Sequence, residues 1–526
     1  MSRPVRAARP RPTPRHCGWA DVRRGAWEDP DPAKVRILAH PRDWTWLLGQ
    51  YPARNPDPLK HCLDVAKAAG ALTVVIETRY IDPDFRSEYV AFHARAFSTH
   101  YDTAHRLHFF KGPISPDRLW EIPVDAGYLG YMVVRPPTQL GRVGRTMLAP
   151  PPGLDDAVLT TIQENVHFFG QTISIRAVPF MEQDAQLDRC AHAAAWVCHY
   201  VAHRRGIVPR RPIAAFNLMS NPSMSPTRPV PSEGLTVGQL VELFRVFDLP
   251  ARLYDVDALK TVEPTPPCAP PDPIPVVDAN GKQLHGGLWN TKLFGTICRY
   301  LNSGIPVLVG NGEHAFVLVG YRRTPNPSGG SWIEFVRQDD QLGPYQPVKS
   351  VFNDVGVNGY RYSPWTALVV PLPEKLWLPP EPAEGVGATF LQQIASMVQA
   401  AVPDAKALSD CISAGALAFR TYATSANHFK DEAMRRMPNA VAREYRMARF
   451  PRFVWVVEAV DRRARDAGRT DCVLGEAVFD STSSELDPKG LAFHVPGYAL
   501  IASTKGTYRE LRCPPDLYQI GTAGWE

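Results

Sequence analysis

The spacing of apolar residues changes several times along the chain, and each change marks an element. LTVVIE from Leu72 is a continuous apolar run of strand length, and GYLGYMVVRP from Gly127 is another that a proline stops. Between them, DFRSEYVAFHARAF from Asp84 spaces its apolar positions as an amphipathic helix does. TISIRAVPF from Thr172 alternates with the period of a half-buried strand. These runs predict a folded amino-terminal segment, residues 34–178, of the mixed α/β kind.

The next segment, 179–370, opens on a predicted helix, DRCAHAAAWVCHYVAHRRG, with Asp188 as candidate N-cap and Gly206 as stop. SEGLTVGQLVELFRVFDLPARLY and NTKLFGTICRYLNSG then read as helix, strand and helix. GIPVLVGNGEHAFVLVGYRR holds two strands about a Gly-containing turn, and WIEFVRQDDQLGPY is the strand after them. Residues 371–388, PLPEKLWLPPEPAEGVGA, are rich in proline and are predicted to be a linker. Beyond it, the helix TFLQQIASMVQAAV and the strand-like runs FVWVVEAV, CVLGEAVFD and LAFHVPGYALIAS predict a smaller carboxy-terminal α+β domain over 389–526. The fold class expected for the whole is therefore α+β, in three folded parts, which suits a chain of 526 residues that is too long for one core.

Composition narrows the function classes. No run of about 18 apolar residues is present to span a bilayer, so no membrane partner is expected. The first twenty residues carry five arginines and no acid, and residues 1–33 are expected to form a disordered basic tail without the apolar stretch of a secretory signal. Those first twenty residues alone account for the net charge of +5, which leaves the remainder near neutral and gives no argument for nucleic acid. The nine cysteines show no short paired spacing of the zinc-binding kind. No metal or other cofactor is expected, and the thiols are expected to be reduced, as in a cytoplasm.

Candidate chemistry concentrates in the central segment. Cys190 falls in the first turn of its helix, where unpaired backbone amides and the positive end of the helix dipole lower a thiol's pKa. Cys198, two turns on and flanked by Trp196, Val197 and Val201, reads as a core residue. His314 opens a strand, from which its ring can face a thiolate presented by a helix end. Asp339 and Asp340 end the next strand, and a carboxylate there can accept the ring's other N–H and hold the productive tautomer.

In this order, a helix-borne Cys, then Gly-Ile-Pro-Val-Leu-Val, then His-Ala-Phe-Val-Leu-Val-Gly-Tyr, then Asp at the following strand's end, residues 179–370 resemble papain-like cysteine peptidases, in particular the bacterial double-glycine peptidase branch. His314 follows Cys190 by 124 residues, near the separation of about 130–150 in papain-like enzymes. The resemblance implies Cys190 as nucleophile, His314 as base and Asp339 as orienting residue, with Asp340 as substitute. The family places a glutamine six residues before the cysteine as oxyanion donor. Asp184 stands there in this chain, between Gln183, the first choice for that role, and Gln186, the second. The family's glycine beside the cysteine is also absent, since Arg189 and Ala191 flank Cys190.

The expected activity is cleavage of a peptide or isopeptide bond in a protein or peptide substrate through an acyl-enzyme. Transamidation uses the same residues, and a catalytically inactive scaffold that binds a protein partner or nucleic acid, through the flanking domains, is the alternative. Three other features read as structural. His105 and His108 in AHRLHFF have metal-ligand spacing but no acid or cysteine beside them, and the arginines over Arg435–Arg469 are interspersed with acids as on a solvated helix face. EPTPPCAPPDPIP from Glu263 reads as an insertion loop near the cleft.

Overall fold

The computed structural model describes residues 31–122, 126–136, 142–185, 188–220, 232–259, 292–325, 331–348, 365–401, 406–503, 507–513 and 518–525. The expected basic tail, but for its last three residues, the proline-rich segment from Glu263 and Gln186 lie outside them.

Three antiparallel sheets build the molecule. The first contains β1 (Ala33–Ile37), β2 (Thr73–Tyr80), β3 (Ala104–Phe110), β4 (Tyr128–Val134), β5 (Val143–Leu148), β7 (Ile162–Phe168) and β8 (Gln171–Phe180), in the order β1-β2-β3-β4-β5-β8-β7. Helices α1 (Pro41–Gln50) and α2 (Asp57–Ala68) follow β1, and α3 (Pro83–Ala91) follows β2, where the Asp82 carboxylate caps it by accepting from the amides of Asp84 and Phe85. Its strand pairs are all antiparallel, so this segment is α+β rather than the α/β expected: even where helices intervene, after β1 and after β2, the next strand returns antiparallel instead of crossing over to run parallel.

The second sheet runs β13 (Gly343–Val348), β12 (Ser331–Asp339), β11 (Ala315–Pro325), β10 (Val307–Gly310), β14 (Ala367–Pro371), β9 (Ala251–Asp255), with the short β6 (Val158–Leu159) pairing β11. Between the two sheets lies α4 (Cys190–Arg204), whose residues from Ala191 to Ala202 are all buried. A helix apolar on every side has to be enclosed. Helices α5 (Ile213–Leu218), α6 (Val237–Val246), α7 (Val256–Leu259) and α8 (Lys292–Asn302) complete this part. One core runs from Leu47, Phe109 and Met147 through Trp196 to Phe244 and Val317, and β8 itself continues past residue 178, so the amino-terminal and central segments are not separated where composition divides them.

The third sheet is a meander of β15 (Leu417–Ser425), β16 (Phe453–Asp461), β17 (Val473–Asp480), β18 (Gly490–Val495), β19 (Tyr498–Ala502) and β20 (Tyr508–Arg512). Helices α9 (Pro380–Ala401) and α10 (Lys406–Ser413) lead into it, α11 (Ala426–Arg436) and α12 (Asn439–Met447) join β15 to β16, and α13 (Arg462–Asp466) follows β16. The β16 run is apolar but for Glu458 and the terminal Asp461 because both faces are covered: Trp455, Val457 and Ala459 pack in the core shared with α9, while Val454, Val456 and Val460 pack against α11 and α12, and the buried Glu458 is paired with Arg420 at 2.8 Å.

Helix α9 begins inside the segment expected as a linker over 371–388. Pro380 and Pro382 sit in its first turn, where the missing N–H costs nothing, and Glu384 pairs with Arg299 of α8 at 2.6 Å. The residues before it are also engaged, since the amides of Trp377 and Leu378 both donate to the Ser481 carbonyl at 2.9 Å. Among the described residues no helix is long and apolar enough to cross a membrane.

The turn after β12 is clamped by the first sheet's helices. Asn55 Nδ2 donates to the Gln341 carbonyl at 3.1 Å, and Gly343, at φ +118°, leaves only 2.8 Å between a would-be Cβ and the His61 Cβ. We expect Gly343→Ala to cost about 1–3 kcal/mol through backbone strain alone, read as a lower urea midpoint. An unchanged midpoint would show that this clamp contributes nothing.

Candidate active site

The last turn of β8 delivers the chain to a short loop and then to α4. Asp188, the expected N-cap, is turned inward: its Oδ1 accepts from the Asp184 amide at 2.6 Å while its own amide donates to Asp184 Oδ1 at 2.9 Å. This reciprocal pair closes the loop around Ala185, at φ +63°, and moves the N-cap to Arg189, whose amide donates to His192 Nδ1 at 3.2 Å. Cys190 is thereby the first helical residue, half-buried. At the other end, Gly206 stops the helix as expected: at φ +68° it lets the Gly206 amide reach the His203 carbonyl and the Ile207 amide the Ala202 carbonyl.

His314 precedes β11, held from the turn before it by Asn311, whose Oδ1 accepts the His314 amide at 2.7 Å. The ring is 4% exposed. Its Nε2 lies 3.1 Å from Asp339 Oδ1, its Nδ1 3.2 Å from Gln341 Nε2, and the ring also hydrogen-bonds the Cys190 side chain. Asp339 Oδ1 accepts the Gln341 amide as well, at 3.0 Å, and Arg337 Nε stands 3.5 Å from Oδ2.

Electrostatics follow from burial working against these partners. Burial alone would push the His314 pKa down, but the Asp339 charge and hydrogen bond, the Cys190 hydrogen bond and the Asp340 charge raise it well above its ordinary value. Burial would push Asp339 up, yet the His314 charge and hydrogen bond, Arg337 and the Gln341 amide bring it down to about 2. The arrangement thus favours an imidazolium lodged between a carboxylate and a sulfur.

Cys190 and His314 open on a cleft of about 800 Å³ with Gln183 and Gln341 on its lining and an apolar wall that includes Leu235, Leu240, Leu308 and Val369. Of the two glutamines considered for the oxyanion hole, Gln183 therefore lines the same cleft as the sulfur, and Gln186 is outside the described residues. Asp184 is fully buried in its pair with Asp188 and is not a cleft residue. Arg189 lines the cleft too, with its Nε bonded to the Ser232 carbonyl at 2.7 Å. Sequence reasoning missed Gln341 and Asn311. Neither contact follows from local spacing: Gln341 reaches the ring from the turn after β12 and Asn311 from the turn before β11, so both depend on turn geometry.

The remaining candidates separate by burial. Cys198 lies within α4 with its thiol pKa pushed up by burial, and burial likewise raises Cys62, Cys298, Cys472 and Cys513, Cys298 to about 12 and Cys472 to about 11. His105 and His108 sit on β3 three positions apart, hence on opposite faces, and bond Tyr51 at 3.0 Å and Tyr128 at 2.9 Å respectively. Burial pushes the ring of His108 down to about 4. In the arginine-rich stretch, Arg436 is buried against Glu476 at 2.6 Å. Two buried groups, His314–Asp339–Asp340 and Glu88–Asp184–Asp188, bring three potential ligand atoms within 4.8 Å of one another. Each already has an arginine as counter-charge, Arg337 beside Asp339 and Arg135 at 3.0 Å from Glu88.

No family model, curated protein or solved structure matches the chain.

Two outcomes are expected. Iodoacetamide at neutral pH should label Cys190 well ahead of every other thiol and leave Cys190→Ala essentially unlabelled; labelling spread evenly over several cysteines would remove the nucleophile assignment. Asp339→Asn should lower stability by about 3 kcal/mol in urea denaturation near pH 5. The sign is set on both sides: the Asp339 contribution is present above its ordinary value of 3.8 and is lost as pH falls toward about 2, while the His314 contribution is full below 6.5 and is lost as pH rises through its raised value.

Proposed function

We propose that the protein is a papain-like cysteine peptidase that cleaves a peptide or isopeptide bond through an acyl-enzyme on Cys190, His314 and Asp339. The observation that carries this reading is the ring of His314, bonded to Asp339 through Nε2 and to the side chain of the helix-borne Cys190, at the floor of an open cleft. The sulfur comes from the start of a buried helix and the His–Asp pair from a sheet facing it, which is the division of labour of the papain-like arrangement; in this reading residues 179–370 form that unit and the other two sheets flank it.

The steps follow from the contacts. The Cys190 sulfur attacks the substrate carbonyl as the thiolate, and charge develops on the carbonyl oxygen beside the Cys190 backbone N–H and the Gln183 amide, the two proposed oxyanion donors. His314 then gives its proton to the leaving amine, and the C–N bond breaks to leave a thioester on Cys190. Water then attacks the thioester while His314 takes its proton, the C–S bond breaks to release the carboxylic acid, and the Cys190 thiolate and the His314 imidazolium are restored. Asp339 holds the ring with Nε2 toward itself through both steps. If an amine replaces that water, the same residues carry out transamidation.

The expected substrate is a protein or peptide. An inert scaffold has no need of the ring contact to Cys190 and the buried His–Asp pair together, and their coexistence supports the enzyme over the binding module.

A library of fluorogenic peptides and isopeptide-linked peptides tests the proposal. Turnover of at least one member is expected, abolished in Cys190→Ala and lowered by orders of magnitude in Asp339→Ala. Gln183→Ala is expected to lower kcat by about 10²–10³-fold while Cys190 still alkylates. Turnover that survives Cys190→Ala would sink the mechanism.

A further inference from the structure

Next to the three proposed catalytic residues stands a carboxyl that the acyl-transfer steps leave unused. Asp340 lies one residue beyond Asp339, where β12 ends. Consecutive strand residues point to opposite faces, but Asp339 is the last residue of β12 and Asp340 the first of the turn after it, so that alternation no longer applies and both carboxyls reach one ring. Asp340 Oδ1 is 3.8 Å from His314 Nε2. Both of its carboxyl oxygens are buried, and among the described residues neither has a hydrogen-bond partner. The void beside it, lined by Phe180, Met181, Ala193, Val197 and Phe316 among others, measures about 10 Å³, room for one water at most. Solvent therefore cannot disperse a charge placed there.

The groups that face Asp340 are few. From the start of β11 comes His314; on its own strand are Asp339 and, behind it, Arg337; from the end of β8 comes Glu182. Helix α4 turns only Ala193, Ala194 and Val197 toward the void. Glu182 accepts the amides of Arg142 and Val143 at 2.8 and 2.9 Å, and burial pushes its pKa up to about 8, with the Asp340 charge adding to the rise. Burial also pushes Asp340 up, to about 7, with Asp339 raising it further and His314 opposing.

We propose that Asp340 is a positioning residue for the His314 ring, a second counter-charge held in reserve: neutral while Asp339 alone carries the negative charge, ionised as the solution becomes alkaline, so that the imidazolium facing Cys190 survives to higher pH than one carboxylate would allow. This rests on the cysteine peptidase reading of the site. The sign follows from charge alone. A protonated Asp340 adds no charge beside the ring; once ionised it adds one negative charge within 4 Å of Nε2, and an opposite charge at that range favours the protonated ring by about one to three pH units. Asparagine has the shape of the neutral acid and never ionises, so the substituted protein has Asp339 only.

The test titrates the histidine ring signals of the full chain, labelled with ¹³C-histidine, in the wild type and in Asp340→Asn, with the His314 signal identified by its loss in His314→Gln. The alkaline limb of iodoacetamide alkylation at Cys190 is followed in parallel. In Asp340→Asn the His314 midpoint is expected to fall by about one pH unit or more, and the alkaline limb to move with it. Asp340→Ser, smaller and equally uncharged, is expected to give the same shift and serves if the asparagine variant does not fold. A midpoint that stays within a few tenths of the wild type in a folded variant overturns the role of Asp340. If instead the wild-type Cys190 alkylates no faster than the other thiols, it is the peptidase reading that fails.

Discussion

A helix with no face left for water must be surrounded, and α4 is such a helix; the rest of the structure is arranged to enclose it. The first sheet covers one side, the second the other, and polar side chains fix its rotation and height. Trp196 Nε1 donates to Asp84 Oδ1 at 3.1 Å, and the same carboxylate takes the Ile213 amide at 3.1 Å and the Arg210 guanidinium at 2.8 Å. Tyr200 reaches Glu164 at 3.0 Å, beside Arg145, which also holds Asp82 at 3.1 Å. Buried charges of this kind add little net stability, but removing one partner strands the other, which makes alternative placements of the helix costly. Asp84 so ties α3, α4 and α5 together, and the position of Cys190 at the helix start follows from that.

The facing half of the site is fixed in a different way. His314 is placed by a turn, and Asp339 by the end of a strand, both of which are ordinarily the looser parts of a fold. Here they are restrained from outside. Asn55 and His61, from α2 and the approach to it, close on the turn that carries Gln341 and Gly343. Tyr345, two residues further, bonds the Leu148 carbonyl at 2.8 Å and receives the Val178 amide at 3.0 Å, so that it stitches the second sheet to β5 and β8 of the first. The amino-terminal sheet is in this sense a supporting wall of the cleft, and its separation from the Cys–His pair is one of sequence alone.

The third sheet is attached as firmly on the opposite side. The same alternation that sends Ala315, Val317 and Val319 of β11 into the core around α4 sends Phe316 and Leu318 into a second core that continues through α9 to Trp455 and Phe479. Polar contacts reinforce it: Trp455 Nε1 donates to the Leu378 carbonyl at 2.8 Å, and Trp525 Nε1 to the Ser303 carbonyl at 2.9 Å. A strand buried on both faces, as β11 is, resists displacement because close-packed neighbours leave it nowhere to go, and it is the strand that His314 precedes.

Periodicity was sufficient for most of the elements. The runs at Leu72, Gly127 and Thr172, the helix from Cys190, the helix–strand–helix set between Cys190 and His314, and the strand pair around the Gly312 turn are all present, because each depends on local spacing of apolar residues and on punctuating glycine and proline. The candidate chemistry was legible for the same reason: a cysteine at a helix start, a histidine at a strand start and aspartates at a strand end are local positions. What local spacing could not supply was anything set by a distant partner. The capping carboxylate of Asp188 was drawn to Asp184 instead of the helix, the proline-rich stretch became the first turn of α9 because α8 offered Arg299, and the amino-terminal segment fused with the central one because α4 needs both sheets. That Cys190 and Asp339 meet at one imidazole, and that Asp340 stands buried beside them, was decided by tertiary structure alone, since residues far apart in sequence are brought within hydrogen-bonding range only by the packing of the elements that carry them.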